Sequence, residues 1–446
     1  MSIRVRFAPS PTGELHIGGA RTALFNFLAV KKMGGEFVLR IDDTDRERSF
    51  AENEANILSS LKWLGFSWDE GVDLDPEGPY APYRQSQRLD KHLALAEKLR
   101  ENGSAYLDSE NCLRIRYPED EIVVHDLILG DCRFSPQSLG PDPVILRSDG
   151  SPTYHLASVA DDIDMKITHI IRGADHLTNT AKHIVIFRAA QASLPNFAHL
   201  PLILGEDGSK LSKRNKSGFT TVKDFIDAGF IPEALVNFLC LLGWSHPEGI
   251  DLFDIDKAAA NFSFDRVNST GAKFELSKLD WYNAHYLRSK SPEELGKLTL
   301  PWTGEFREQV ERLGNEWWSN AIYDLRTDFE RLSEISRVSK LLLSESFEIN
   351  EECRNHLSGE SENEVFVQVK QSVSSLLEKL HTDEGEDCYS VQQIKTIIKE
   401  VRKAVEAPPK LVFQSLRIIF TGALKGPELD VLLPHVPYSI LKKRVS

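Results

Sequence analysis

Apolar and polar positions alternate at the start of the chain, where Val5 and Phe7 fall between Arg4 and Arg6, and this period of two predicts a strand. Pro9, Pro11 and Gly13 then predict a tight, irregular turn. The stretch from Ala20 to Leu28 reads as a helix, and Gly34-Gly35 supplies its stop signal. A second strand over Glu36 to Ile41 and a helix over Ala51–Trp63 complete a βαβα pattern from Ile3 to about Phe66. Tyr83 to Asn102 is a further amphipathic helical region. From Gly103 to Pro143 the pattern changes, because short apolar runs such as Ile122-Val123-Val124 and Leu127-Ile128-Leu129 are broken by turns; this predicts a small inserted domain. Val144 to Arg147 resumes the sheet, and Tyr154 sits just before a helix beginning near Leu156. A strand over Ile167 to Ile171, a helix near Thr180–Ala190 and a strand over Leu202–Leu204 complete a doubly wound half. Ile231 to Leu239, with Pro232 near its start, is helical. From about Ser289 onward the pattern is helix throughout, with helices near Phe306–Gly314, Trp317–Leu325, Glu364–Leu380 and Val391–Val405 that fit a bundle.

The predicted architecture is a Rossmann-type α/β catalytic domain with a small inserted α+β domain, followed by an all-α C-terminal region. The segments are 1–102 and 144–214 for the two halves of the α/β domain, 103–143 for the insert, 215–288 for a connecting region and 289–446 for the helical part.

Composition changes this picture little. A chain of 446 residues suggests about three domains at roughly 150 residues each. With 41% hydrophobic residues it can build proper cores. No apolar run approaches the ~20 residues of a membrane span, and no signal peptide is visible before the first strand. The five cysteines are scattered and odd in number, which suggests a reducing cytosol and not a disulfide framework. A net charge of −14 argues weakly against nucleic acid as partner, but local basic patches decide that question, not the sum. There are no repeats and no low-complexity tract.

The candidate chemistry begins where the first strand runs through a glycine-containing loop onto a helix. That geometry presents backbone N–H groups and the positive end of a dipole to an anion. Gly18 and Gly19 let a flat base or a phosphate approach closely, and His16 adds a donor at the same spot. Taken alone, the loop fits an ordinary βα turn with a surface histidine equally well. Far downstream, Ser209 to Lys216 forms a dense basic run after Gly205, Asp207 and Gly208, hence a mobile loop; a solvated charge run is the plain alternative. Asp42-Asp43-Thr44-Asp45 stands at the C-terminal end of a strand, where open α/β sheets place ligands, or caps the next helix. It lacks the glycine and terminal glutamate of a calcium loop. Arg172-Gly173-Ala174-Asp175-His176 is another strand-to-loop edge, and the recurrence of polar residues at strand ends points to one converging site.

His16-Ile17-Gly18-Gly19 and Lys210-Leu211-Ser212-Lys213-Arg214 together resemble the HIGH and KMSKS signatures of class I aminoacyl-tRNA synthetases. Ala8-Pro9-Ser10-Pro11-Thr12-Gly13, Arg40-Ile41-Asp42-Asp43-Thr44-Asp45-Arg46, Tyr83-Arg84-Gln85-Ser86 and Pro152-Thr153-Tyr154-His155-Leu156-Ala157 resemble the bacterial glutamyl-tRNA synthetases in wording and order. The resemblance runs from the N-terminus to the last helices. It implies ATP-dependent activation of L-glutamate and transfer to tRNA-Glu, with tRNA-Gln left open as a second acceptor, by a cytoplasmic monomer. It assigns His16, Lys210 and Lys213 to catalysis, and Gly18, Gly19 and Ser212 with them to ATP. Arg6, Ala8, Ser10, Asp42, Tyr154, Ser158 and Arg172 fall to the amino acid. Arg417 and Thr421 fall to tRNA, within a segment resembling the anticodon-reading tip. ATP brings Mg²⁺ with it. Residues 103–143 would grip the tRNA acceptor end and look abbreviated, 215–288 would contact the tRNA stem, and 289–446 would bind the anticodon. Some members carry zinc in the insert, but Cys112, His125 and Cys132 lack the close pairing of a zinc site, so no zinc and no other protein-held metal is expected.

Three departures from the family pattern stand in the site. Asp42 replaces a usual Glu, Ser158 a frequent Asn and Ala174 a usual acid. The aromatic, basic stretch Phe274 to Tyr286 implies tRNA contact by resemblance, or an ordinary helical core with Trp281 buried. Lys442-Lys443-Arg444 reads as a frayed tail. Small-molecule nucleotidyl transferases share the His-x-Gly-x loop but are short. A non-catalytic relative would be expected to lose His16 or Lys213. The enzyme that modifies queuosine-bearing tRNA lacks the anticodon domain, and glutaminyl-tRNA synthetase would end in β-barrels and not in helices.

Overall fold

The computed structural model describes residues 2–44, 50–211, 218–380 and 388–446. The chain forms two compact units, Met1–Tyr282 and Asn283–Ser446. No helix among the described residues is long and apolar enough to cross a membrane.

The first unit opens with β1 (Ile3–Phe7), α1 (Ile17–Met33), β2 (Gly35–Leu39), α2 (Ala51–Trp63), β3 (Glu70–Gly71) and α3 (Leu89–Glu101). Short strands follow: β4 (Ala105–Leu107), β5 (Leu113–Ile115), β6 (Ile122–Asp126), β7 (Gly130–Phe134) and β8 (Val144–Leu146). The second half comprises α4 (Tyr154–Asp164), β9 (His169–Gly173), α5 (Leu177–Ala189), β10 (Asn196–Leu200) and β11 (Ile203–Leu204). Three helices, α6 (Val222–Asp227), α7 (Pro232–Leu241) and α8 (Ile255–Asn261), precede β12 (Ala272–Lys273) and α9 (Leu276–Arg288).

Seven strands form one sheet in the order β3-β2-β1-β9-β10-β6-β7. All neighbours run parallel except β6 and β7, which form an antiparallel hairpin at the edge. The order steps outward from β1 to β2 and β3 on one side and to β9 and β10 on the other. The switch point therefore lies between β1 and β9, and the crevice beyond their C-terminal ends is where such sheets bind ligands. Helix α1 is apolar on nearly every side because it lies at the centre of this unit: Ala20, Ala23, Leu24, Phe25 and Leu28 are fully buried. It stops at Gly34, whose φ of +73° suits glycine and whose N–H donates to Val30 O.

Three readings of the sequence are corrected here. Val144–Arg147 does not resume the main sheet. Instead β8 pairs antiparallel with β5 in a separate sheet ordered β4-β5-β8. Conversely Ile122-Val123-Val124, read as part of the insert, belongs to the large sheet, where Asp126 pairs with Phe197 of β10. Finally, the doubly wound half closes with β10 and not with Leu202–Leu204, since Ile203 and Leu204 pair with β12 in a two-stranded sheet. A three-residue apolar run has a period but no label saying which sheet it joins; long-range pairing decides that. Trp281 is 52% exposed, so the core reading of its helix fails for that residue, while Leu279 and Tyr282 are buried.

The second unit is helical: α10 (Pro292–Thr299), α11 (Arg307–Leu313), α12 (Asn315–Asp324), α13 (Ile335–Leu343), α14 (Glu351–His356), α15 (Glu360–Leu380), α16 (Val391–Ala404), α17 (Pro409–Thr421), α18 (Leu429–Leu432) and α19 (Tyr438–Val445). Val365, Val369, Val373 and Leu377 recur every four residues along α15 and are buried where it packs on α16, α17 and α19. The Lys442-Lys443-Arg444 run is not a frayed tail. Arg444 is buried and donates to Ser344 O, Phe420 O and Leu341 O at 2.9, 3.0 and 2.8 Å, closing three carbonyls that helix ends would leave open.

Candidate active site

A cleft of about 540 Å³ opens at the switch point. Of the residues assigned by resemblance, Arg6, Ala8, Ser10, Asp42, Tyr154 and Arg172 line it, with His16, Gly18, Gly19 and Lys210. Each comes from the end of a different element: Arg6 from β1, Asp42 from beyond β2, Tyr154 from the first turn of α4 and Arg172 from β9. Ser158, one turn further along α4, does not line the cleft; it is buried and its Oγ has no hydrogen-bond partner among the described residues. Ser212 and Lys213 lie outside the described residues.

The arginines at the cleft floor differ in their partners. Arg40 donates from Nε to Asp42 Oδ1 at 2.7 Å and from Nη1 to Asp162 Oδ1 at 2.8 Å. Arg6 Nε reaches the same Asp162 oxygen at 3.2 Å. Two arginines thus meet two aspartates in a buried, neutral network, the arrangement that offsets the cost of burying charge. Burial still pushes the Asp42 carboxyl above its usual range, against the pull of Arg40. Arg172 is different. It is only 5% exposed, and its hydrogen bonds go to neutral groups: Tyr154 Oη at 3.0 Å, Thr180 Oγ1 at 2.6 Å, and the His176 carbonyl and His199 ring at 3.5 Å. No ion pair with Arg172 is found among the described residues. Burial accordingly lowers its pKa from the ordinary arginine value. A buried guanidinium facing a cleft without a counter-ion is a site for an anion, with a planar fork suited to carboxylate.

The glycine loop has its own logic. His16 caps α1: its Nδ1 accepts from the Gly18 N–H at 3.1 Å, which puts the proton of a neutral ring on Nε2. A Cβ at Gly18 would meet only His16 Nδ1, at an ordinary 3.4 Å, and no left-handed backbone requires glycine there. Packing explains Gly19, where a Cβ would come to 3.1 Å from Leu15. Among the described residues nothing asks for glycine at 18, and its place in the lining leaves that space open to the cleft.

The basic loop leaves from a turn in which Gly205 N–H donates to Ser209 O and Leu211 N–H to Ile203 O. Lys210 Nζ rests on Asp175 Oδ2 at 3.0 Å. Burial would raise the Asp175 pKa, but Lys210 and His176 outweigh it and hold it below its usual value. The chain returns through Thr220–Val222, where Ile17 N–H donates to Thr220 O and Val222 N–H to Leu15 O. The His16–Gly19 stretch and the described ends of the basic loop therefore meet at one rim.

A model of the family described as tRNA synthetases class I (E and Q), catalytic domain, matches residues 2–111 and 107–281. The chain belongs to that family. A second model, an anticodon binding domain, matches residues 294–436 of this class I synthetase. The glutamate–tRNA ligase of Desulforamulus reducens is 38% identical over 482 aligned positions, covering 98% of this chain and 97% of that one. Glutamate–tRNA ligase 1 of Caldicellulosiruptor saccharolyticus is 37% identical, covering 100% and 99%. Both alignments are longer than this chain's 446 residues, so these relatives carry insertions that it lacks. Among solved structures, a glutamate tRNA ligase from Elizabethkingia meningosepticum in complex with its amino acid superposes with a TM-score of 0.84 at 28% identity, covering all of this chain and 98% of that one.

In the second unit of this synthetase, Arg417 and Thr421 stand one turn apart on α17. Thr421 is buried and its hydroxyl donates to Arg417 O, while Arg417 donates to Gly426 O and Pro427 O. Arg417 joins Lys395, Lys399, Arg402 and Phe413 around a groove of about 370 Å³. Among the described residues no group of three or more His, Cys, Asp or Glu is arranged to hold a metal ion; His125 instead pairs with Asp131. The sequence reading passed over Asp162, Asp126, Thr180 and His199. The signal for His199 was available: one imidazole inside the apolar run Phe197–Leu204 must have a partner if it is buried.

Proposed function

We propose that the chain is a glutamate–tRNA ligase, which activates L-glutamate with ATP and transfers the glutamyl group to the 3′ end of tRNA-Glu in protein biosynthesis. The observation that carries this reading is the buried Arg172, which has no ion pair among the described residues. Glutamate brings a second carboxylate to this guanidinium; glutamine brings a neutral amide in its place. Arg172, steadied by Tyr154, takes one carboxylate and Arg6 faces the other. Asp42, one methylene shorter than the family's glutamate, receives the ammonium group with Ser10.

In the first step a carboxylate oxygen of glutamate attacks the α-phosphate of ATP, giving glutamyl-adenylate and pyrophosphate. The protein supplies position and charge and forms no covalent bond. The α1 N-terminus behind Gly18-Gly19, with the Nε2–H of His16, holds phosphate oxygens. Lys210 leaves Asp175 and, with Lys213, neutralises charge building on the phosphates as the loop closes. Mg²⁺ bound with the nucleotide would screen its phosphates; the cleft carboxylates Asp42 and Asp175 are already paired, so such a metal would be held mainly by phosphate and water. In the second step a hydroxyl of the terminal ribose attacks the glutamyl carbonyl and AMP leaves. The anticodon-domain match over residues 294–436 supports tRNA as acceptor. In the groove holding Arg417, Glu428 pairs with Arg417 and Asp430 with Lys395; Lys399 and Arg402 are offered to phosphates and Phe413 to an unpaired base.

The test is exchange of labelled pyrophosphate into ATP in the presence of tRNA. Glutamate is expected to support it and glutamine is not. Exchange driven by another amino acid but not by glutamate would overturn the proposal.

A further inference from the structure

Behind Arg172 lies a chain of buried polar groups that never reaches the cleft surface. Asp126 ends β6, His199 stands in β10 and Thr180 in α5; His199 and Thr180 are fully buried and Asp126 is 7% exposed. His199 Nδ1 lies 2.6 Å from Asp126 Oδ2, and its Nε2 lies 2.7 Å from Thr180 Oγ1. Thr180 Oγ1 in turn lies 2.6 Å from Arg172 Nη2.

Donor and acceptor rules give this chain one direction. The Asp126 carboxylate accepts the amides of Ile128, Leu129 and His199 at 2.9, 2.8 and 3.2 Å, so it is built to stay ionised. Burial would raise its pKa, but these bonds and His199 hold it below the usual carboxylate range. It therefore takes the Nδ1–H of His199. Burial keeps that ring neutral, with Arg172 adding to the effect and Asp126 opposing it. A neutral ring protonated on Nδ1 offers only a lone pair at Nε2. Thr180 must then donate its hydroxyl hydrogen to Nε2, for which the His176 carbonyl at 3.3 Å is the poorer acceptor. The lone pairs of Thr180 Oγ1 are left for the Arg172 guanidinium and no other orientation of the hydroxyl serves as well.

We propose that Asp126, His199 and Thr180 form a positioning relay that fixes the Arg172 guanidinium for the substrate carboxylate. The inference rests on the glutamate–tRNA ligase reading. It assigns to β6 a role in amino-acid affinity: this strand carries Asp126 to the back of the binding arginine. None of the three residues touches substrate.

The experiment measures the Michaelis constants for glutamate and for ATP in tRNA charging by the full-length protein and three variants. Thr180→Val keeps the shape and removes the hydroxyl that accepts from Arg172 and donates to His199; it is expected to raise the glutamate KM at least tenfold and leave the ATP KM within twofold. Thr180→Ser restores the hydroxyl and should return the glutamate KM to near the wild-type value. Asp126→Asn, which no longer dictates the ring tautomer, should raise it by a smaller factor. Thermal melts report whether each variant is folded. A folded Thr180→Val or Asp126→Asn protein with an unchanged glutamate KM, or with both constants raised alike, overturns the relay. Wild-type protein that charges no glutamate at all overturns the reading beneath it instead.

Discussion

The amide of Ile17 donates to the carbonyl of Thr220 at 2.8 Å, and through that bond the chain leaving the lysine-rich loop is stitched to the start of α1. Thr221 extends the seam, pairing with His16 and capping α6 through a reciprocal bond with Asp224. At its other end the loop is held by the pairing of Leu204 with Lys210. The described ends of that loop are thus fixed at two seams, one of which is the glycine loop itself.

That glycine loop gives the first prediction. Alanine at position 18 meets no steric obstacle within the fold, and alanine is favoured over glycine in a helix by about 1 kcal/mol. Gly18→Ala should therefore melt at or slightly above the wild-type temperature while its KM for ATP rises by an order of magnitude. A normal ATP KM in this variant would remove Gly18 from the nucleotide site.

Asp42 predicts a pH effect of definite sign. Its carboxyl is raised by burial, so it protonates at a higher pH than an ordinary aspartate near 3.9. Protonation removes the charge proposed above to receive the substrate ammonium. The glutamate KM should rise as the pH is lowered, and Asp42→Asn should show a high KM that no longer responds to pH over the same acidic range. An Asn variant with wild-type affinity would contradict the assignment.

The histidines around Arg172 predict acid lability of the first unit. Burial brings His155 down to about 4, with Lys182 and Arg172 adding to it, and holds His183 well below its usual value; His176 and His199 are lowered as well. In the unfolded chain these rings take up protons near pH 6.5, and in the folded chain they do not. The unfolded state therefore binds more protons below that pH, and stability present above it is lost as the pH falls toward the folded values. The melting temperature should drop between pH 7.5 and 5.5, and drop less in His183→Gln. Equal melting at both pH values would contradict this.

Arg444 predicts a stability effect in the second unit. Burial lowers it to about 9, yet it serves three main-chain carbonyls at the ends of two helices, α13 and α17. Arg444→Met should cost on the order of 3 kcal/mol, since the carbonyls lose a charged donor and remain buried. Urea unfolding followed by a probe in residues 283–446 measures it; a loss below about 0.5 kcal/mol would show that water replaces the guanidinium.

What the sequence displays and what it conceals divide along physical lines. The strand–glycine–helix start is legible because Pro9, Pro11, Gly13 and Gly34 punctuate it. Ala51–Trp63 is read to the residue because its period is uninterrupted. The cleft arginines Arg6 and Arg172 are legible through the family resemblance, and Arg172 also through the recurrence of polar residues at strand ends. The fate of Val144–Leu146 and Ile122–Asp126 is hidden, because both are short apolar runs whose sheet is chosen by partners far away in the chain. Asp162 is hidden too. It sits inside α4 next to Asp161, where two acids in a row suggest solvent, and only the fold turns one toward Arg6 and Arg40 and the other toward Arg88 and His92.

The most direct test of the central claim is charging of labelled L-glutamate, with ATP and Mg²⁺, onto purified tRNA-Glu and tRNA-Gln in separate reactions. The account predicts glutamyl-tRNA on tRNA-Glu; product on tRNA-Gln as well would extend the acceptor range. No product on either, from folded protein and tRNAs that another ligase can charge, would contradict it.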